Sequence, residues 1–347
     1  MKRDGLGMSR IVLVAPRIPY GGAERQMVEF KDQFPSEVTL VDLSKNVSID
    51  EHGSQQAFNI IGPGLKNKLH RAYCMYKLYR EYSTTTDTVF VFYNSVFLWL
   101  AYFLSRKGYK VFFSLREYNR DFFKFKYLHV FRQLEGVLTN TPRLMNDLME
   151  RGIAIRLTLN TINLPSSETD NKTSARDKNK LLIVSNVEPH KQILEVLNAL
   201  KGCNYEIFIA GALSNKDYAE KCKQSAEAGN CNVHFLGSIA RAELVGHYQT
   251  CGCFIHASLV EGTSNAIIDA IVNQTPLIVR NTPENRYLVD DLPEFLWEND
   301  SLPARLNEII QTSDTDSYRH FLNFLRNRIQ IKFGRANLLW LLDHIRQ

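Results

Sequence analysis

The chain has 347 residues, 44% hydrophobic and 23% charged, with a formal net charge of +5. So much apolar content at so low a net charge excludes general disorder, and 18 Gly with 11 Pro exclude a collagen-like or low-complexity chain. No repeat of about 20–50 residues is visible, which excludes a solenoid, and about 150 residues per domain predicts two domains.

The chain starts MKRDGLGMSRIVLVAPRIPYGG, and its short apolar run, Ile11 to Ala15, is interrupted by Pro16 and Arg17. A signal-peptide core needs about 7–15 apolar residues, so a buried first strand is expected. The most apolar stretch, Val89 to Leu104, is divided at Asn94–Ser95 and falls short of the roughly 20 residues of a membrane span. A strand, a turn and a buried helix are expected there. The six cysteines, Cys74, Cys203, Cys222, Cys231, Cys251 and Cys253, form no CxxC pair or zinc spacing. They read as reduced thiols in a cytoplasmic protein. Four N-x-S/T sequons begin at Asn46, Asn171, Asn273 and Asn299 and carry no weight without a secretory signal.

Charge is uneven. Residues 1–165 carry 23 Lys/Arg and 15 Asp/Glu, and the window 66–132 holds 13 basic against 4 acidic residues. Either this half faces something anionic or it wears a solvated basic surface.

Along the chain, Ile11–Ala15, Val38–Leu43, Val89–Tyr93, Val111–Leu115 and Gly136–Thr139 read as strands, with helical patterns between several of them. The polar, aperiodic segment Pro165 to Lys180 reads as a linker. Strands are then expected at Leu181–Ser185, Tyr205–Ala210, Val233–Leu236, Cys253–Ala257 and Leu277–Val279. Helices are expected at Gln192–Leu200, Asp217–Ala228, Ala242–Thr250 and Asn265–Val272. Such βαβ alternation predicts parallel sheets with functional loops at the strands' C-terminal ends. The expected division is 1–165, a linker over 166–180 and 181–324. A helical pattern from Phe321 to Ile345 leaves room for a C-terminal helix, about 325–347, that crosses back to the first half.

Three loops stand out. PYGGAERQMVEF, Pro19 to Phe30, places Gly21 and Gly22 before a helix; this is a glycine turn or a phosphate cradle, and it is not GxGxxG. SLVEGTSNAIIDAIVNQTP, Ser258 to Pro276, puts Glu261 in a loop, Thr263 or Ser264 at a helix cap and Asp269 about one turn inside. There a carboxylate can meet a ligand hydroxyl while helix N–H groups hold an anion; alternatively both acids are solvated. SNVEPHKQILEVLNAL, Ser185 to Leu200, puts Lys191 near a helix start, where a cation is unfavourable to the dipole unless an anion lies above it.

In order and spacing these loops resemble the GT-B glycosyltransferases of family 4. GGAER looks like that family's first glycine loop and TLNTIN, Thr158 to Asn163, like its NG(V/I)D element. NVEPHK looks like its R-L-x-x-x-K element, and ASLVEGTSNAIIDA like its PSxxEG…EA signature. The resemblance is strongest over 181–290. It implies two Rossmann-like domains facing across a cleft, with the acceptor on the N-terminal half and a nucleotide sugar, UDP- or GDP-linked, on the C-terminal half. Retention of anomeric configuration is implied, with no metal and no further cofactor.

By the same resemblance, Glu261 contacts the sugar hydroxyls, and Lys191 binds the diphosphate and stabilises the leaving charge. Gly262, Thr263, Ser264 and Asn265 lie at the diphosphate and sugar. Asp269 takes the ribose diol, Gly237, Ser238 and Ile239 lie beside the base, and Gly21 and Gly22 let the diphosphate approach. Asn186 stands where the family has an arginine, Asp269 where it has Glu, and Thr161 where it has the motif glycine. Arg116, followed by Glu117, stands where the family has a His, on the possible acceptor side. These departures keep a second reading open, a non-catalytic nucleotide-sugar-binding partner subunit. For a third reading, a GT-B-like epimerase, the sequence lacks an evident catalytic carboxylate and His set.

Asp314-Thr315-Asp316 spells DxD, yet it reads as a solvated loop because no strand precedes it. His190 and His256 near the site read as structural or rim residues. The windows 66–80 and 116–132 mix cations with aromatics, as do core-packed helices with a basic outer face and surfaces that meet an anionic membrane. A peripheral contact with the inner face of a membrane, a glycan or lipid-linked acceptor, and no nucleic-acid partner are expected.

Overall fold

The structure is a computed structural model that describes residues 10–15, 22–42, 47–49, 55–56, 72–73, 76, 78–80, 82, 88–93, 97–116, 118–158, 175–333 and 342–343. The chain divides into two compact units, Met1–Asn163 with Phe333–Gln347, and Leu164–Lys332.

The first unit is built on strands β1 (Arg10–Ala15), β2 (Val38–Asp42), β3 (Val47–Ile49), β4 (Gln55–Gln56), β5 (Thr88–Phe92), β6 (Lys110–Leu115), β7 (Gly136–Thr139) and β8 (Ile155–Leu157). Their order is β4-β3-β2-β1-β5-β6-β7-β8. The six strands from β2 through β8 in that order pair in parallel, and β3 and β4 add an antiparallel edge. Side chains alternate across the sheet, so Val12 and Val14 join one core cluster while Ile11 and Leu13 join another. Both faces of β1 are therefore buried, which explains its unbroken apolar run. Leu342 belongs to the second cluster. The apolar stretch at 89–104 is β5 followed by the helix Leu98–Arg106. Among the described residues, no helix is long and apolar enough to cross a membrane.

The second unit holds β9 (Asp177–Val184), β10 (Glu206–Ala210), β11 (Asn232–Gly237), β12 (Cys251–His256), β13 (Leu277–Arg280) and β14 (Leu296–Trp297). They lie in the order β11-β10-β9-β12-β13-β14, all parallel. Helices Ile193–Ala199, Lys216–Ala228, Arg241–Thr250 and Asn265–Val272 follow the first, second, third and fourth of these strands.

Two sequence expectations are corrected. The stretch read as linker through Lys180 is ordered before that point, since β9 begins at Asp177. Asp177, Lys178 and Asn179 are exposed, so the strand start has no apolar signature. Just before it, the Arg176 guanidinium donates to the carbonyls of Tyr248, Cys251, Asn273 and Gln274 at 2.6, 3.3, 3.0 and 3.1 Å. The terminal helix starts earlier than its apolar spacing indicates and runs from Asp316 to Phe333. Asp314 of the DxD sequence pairs with Lys178 at 2.6 Å, and Asp316 opens that helix facing Arg319 at 3.4 Å. Cys203, Cys222, Cys231, Cys251 and Cys253 are free thiols. Burial pushes Cys222 up to about 11 and Cys251 up to about 12.

In each sheet the chain reverses its direction of travel once. The reversal falls between β1 and β5 in the first unit and between β9 and β12 in the second. Strands diverging from such a point leave a crevice at their C-terminal ends, where ligands of open α/β sheets bind.

Candidate functional site

The loops that leave β9 and β12 flank the crevice of the second sheet. Pro189–Lys191 forms a short 3-10 turn, and Gln192 follows in the left-handed region at φ 55°. The loop after β12 reaches this turn through the Leu259 N–H, which donates to the His190 carbonyl at 3.0 Å. The Ser258 hydroxyl donates to the Val260 carbonyl at 3.0 Å and closes the loop on itself. These backbone ties bring together two side chains 70 positions apart. Lys191 Nζ donates to Glu261 Oε1 at 2.5 Å, with the side chains only 16% and 17% exposed.

Burial pushes the Glu261 carboxyl up. The neighbouring His256 and the Lys191 ammonium, which also hydrogen-bonds it, outweigh burial and leave it below its ordinary value. His256, the last residue of β12, is 3% exposed, and its Nε2 stands 3.6 Å from Glu261 Oε1. Among the described residues that nitrogen has no hydrogen-bond partner. Burial holds the imidazole down to a pKa of about 4, against the pull of Glu261 and with the help of Lys191. At neutral pH the cation facing Glu261 is therefore Lys191, and His256 is a neutral wall. The sequence places a polar ring in an otherwise apolar strand, and that was the available signal for it.

A second ion pair, which sequence reading missed, ties β13 to the helix after this turn. Arg280 ends β13 and donates to both carboxylate oxygens of Glu195 at 2.8 and 2.6 Å. Its guanidinium also lies 4.7 Å from the centre of the Trp297 ring. Glu195 sits in the first turn of the helix Ile193–Ala199, so the bidentate pair fixes the helix that follows Lys191. Eighty-five residues separate the partners, too many for a local pattern to register.

The other expected residues fall on the same C-terminal edge of the sheet. Asn186 is exposed, and its Oδ1 accepts the Ala212 N–H at 3.3 Å. Its side chain therefore fastens the β9 loop to the β10 loop. Gly211 makes that approach possible: at φ +154° it lies so near that a Cβ would stand 2.0 Å from the Ser185 carbonyl oxygen. The Gly211 N–H continues the row by donating to the Gly237 carbonyl at 2.8 Å. Gly237 itself turns the chain at φ +66°, followed by exposed Ser238 and half-buried Ile239.

Gly262 and Ser264 are buried, with Thr263 and Asn265 half-buried. Ser264 occupies the cap position of the helix Asn265–Val272 without a side-chain capping bond, a correction to the expected hydroxyl cap. Its φ of −74° and ψ of 112° supply the extended cap backbone instead. Asp269 faces Arg241 at 3.5 Å, joining this helix to the helix that follows the Gly237 turn.

In the first unit, Gly22 opens the helix Gly22–Gln33 beside the β1–β5 reversal, and Gly21 lies outside the described residues. Arg116 follows β6 and donates to the Thr158 carbonyl at 3.2 Å and to the Tyr93 hydroxyl at 3.4 Å, with its guanidinium 5.0 Å from the Tyr93 ring centre. Glu117 and residues 159–163 of TLNTIN lie outside the described residues.

Residues 166–319 match the model of the family described as glycosyl transferases group 1. Solved structures resemble the chain over nearly its whole length. HepE of Anabaena in complex with UDP is 15% identical and covers 96% of this chain and 98% of its own, with a TM-score of 0.74. A glycosyltransferase from Rickettsia africae is 14% identical, covering 97% and 98%, with a TM-score of 0.78. Sucrose-phosphate synthase from Thermosynechococcus elongatus is 15% identical, covering 98% of each chain, with a TM-score of 0.77. The fold is GT-B, as the sequence resemblance implied. No curated protein matches the chain by sequence.

Proposed function

We propose that the chain is a retaining glycosyltransferase of family 4 that moves a sugar from a UDP- or GDP-linked donor to a hydroxyl of a glycan or lipid-linked glycan. The observation that carries this reading is the Lys191–Glu261 pair, held at the point where the second sheet reverses. A half-buried ammonium and a carboxylate kept ionised suit a ligand that offers phosphate oxygens to one and hydroxyls to the other. The family match over 166–319 supports it, as does the like fold of HepE, solved with UDP.

In this reading the acceptor hydroxyl attacks the anomeric carbon while the bond from that carbon to the diphosphate oxygen breaks. The bonding pair leaves on the diphosphate, and the hydroxyl proton passes to the departing phosphate oxygen. Lys191 exchanges Glu261 for that oxygen and stabilises the charge that develops there. Glu261, released from the cation, accepts hydrogen bonds from the sugar hydroxyls. The N-terminus of the helix Asn265–Val272 adds a partial positive charge at the diphosphate, so positive potential comes from the chain itself, without a metal or further cofactor. Asp269 holds the ribose diol, and the turn Gly237–Ile239 borders the base. The first unit presents the acceptor.

Donor binding is tested by thermal shift with UDP, GDP, ADP and CDP sugars, since a ligand of the native state raises its midpoint. A rise with a UDP or GDP sugar, followed by a new glycoside in turnover assays, is expected. No rise with any of the four removes the reading. One observation favours a second reading, a non-catalytic donor-binding partner subunit: Asn186 supplies no charge, and its oxygen is occupied by Ala212. Donor turnover by the purified chain alone excludes it.

A further inference from the structure

The first unit carries exposed aromatic side chains that its core does not use. Trp99, Phe103, Tyr76 and Phe125 are 57%, 38%, 55% and 79% exposed. Of the five rings after Asp121, Phe122, Tyr127 and Phe131 are buried and Phe123 is half-buried. The core-packing reading thus accounts for most of that window and leaves Phe125 unexplained.

The exposed rings are connected across three helical segments. Trp99 and Phe103 lie four residues apart and share one face of the helix Leu98–Arg106. Phe103 meets Tyr79 edge-on at 5.7 Å, and Tyr76 lies one turn before Tyr79 in residues that are helical. On the other side Trp99 meets Tyr102 at 6.1 Å, Tyr102 meets His129 at 5.7 Å, and His129 stacks on Phe125 at 5.8 Å. Cations accompany the rings. Arg80 lies 6.0 Å from the Tyr76 ring centre and Lys107 5.7 Å from that of Phe103, and exposed Lys126 follows Phe125. The window holds 13 basic residues against 4 acidic ones, and one of those acids, Asp121, is already paired with Lys124 at 2.7 Å.

We infer that this face docks on an anionic phospholipid bilayer. Indole and phenol rings favour the boundary between headgroups and acyl chains, and flanking cations add attraction to an anionic surface. Trp99 and Phe125 sit at the starts of helices that follow β5 and β6, hence toward the C-terminal edge of the first sheet. An acceptor carried by lipid would be delivered to that edge, and only this last step rests on the transferase reading.

The test is co-sedimentation of the full chain with vesicles of phosphatidylcholine alone and with about one-quarter phosphatidylglycerol. Binding to the anionic vesicles only, weakening as salt rises, is expected. Trp99→Ser/Phe103→Ser/Phe125→Ser should lower the partition coefficient by about tenfold or more. Lys107→Glu/Lys126→Glu, which leaves the rings intact, should lower it as well, with an unchanged melting midpoint as the folding control. Equal binding to both vesicle types, no binding, or wild-type binding by both variants overturns the inference. So does a wild-type dimer that the ring variant splits without any vesicle binding. Donor thermal shifts are read in the same samples without vesicles, so failure of the donor reading and failure of the docking face are separate results.

Discussion

Arg116 and Lys191 follow strands in different sheets, and each has its charge engaged in a different way. Arg116 is spent on a backbone carbonyl and a tyrosine ring and hydroxyl. These partners are neutral, and a ligand that displaced them would have to replace their hydrogen bonds. Lys191 faces a carboxylate on a loop, a partner that a phosphate can succeed at nearly equal charge. In the proposed reading the first engagement builds a wall and the second a site. A cation near a crevice is informative only once its partner is known.

The sharpest way to break this contrast is Glu261→Ala. Turnover should fall by roughly 10²–10³-fold, the scale of losing one group that acts in the transition state, while the fold persists by circular dichroism. Wild-type turnover would return Glu261 to the status of a loop anchor and make the two cations equivalent.

Next in size is the effect of pH on stability. His256 is neutral in the fold down to about pH 4, against an ordinary value of 6.5. The unfolded chain therefore takes up a proton that the native state refuses, so stability is full above about pH 6.5 and drops by about 3 kcal/mol toward pH 4. Glu261 acts with the same sign. Its lowered pKa contributes stability above the ordinary carboxylate range that disappears as pH falls through the folded value. Urea melts across this window should show the slope, and His256→Gln should flatten it. An unchanged slope would place the imidazole in water rather than in the wall.

Lys191→Ala should weaken binding of a nucleoside diphosphate by about 2 kcal/mol, the worth of a hydrogen bond to a charged group. Calorimetry with UDP or GDP measures it. The matching Arg116→Ala should leave that affinity unaltered, and equal losses would dissolve the distinction. The smallest effect belongs to Arg241→Ala. Its contact with Asp269 is 3.5 Å long and Arg241 is 56% exposed, so stability should move by less than about 0.5 kcal/mol in thermal melts.

Sequence reading located much of this arrangement because parallel sheets buried on both faces leave continuous apolar runs, as at Ile11–Val14 and Leu181–Ile183. The loops after β9 and β12 were found the same way, since a strand, a polar loop and a helix in succession mark a C-terminal edge. What escaped was long-range or without contrast. Asp177 to Asn179 carry no apolar signal because that end of β9 is exposed. Arg280 and Glu195 read as separate surface charges until the fold joins them. Ser264 has the residue type of a capping side chain but only the backbone of one. Two-residue β14 is too short to produce a period.

Arg176 reaches beyond its own neighbourhood. Two of its four carbonyls belong to the tail of the helix Arg241–Thr250 and its cap, and the other two close the helix Asn265–Val272. A single cation thus grounds the negative poles of two dipoles, one of which points its positive pole at the loop of Glu261. Eight residues make a strut about 12 Å long, bolted at its base. An anion pulling on the free tip meets a footing that does not slide.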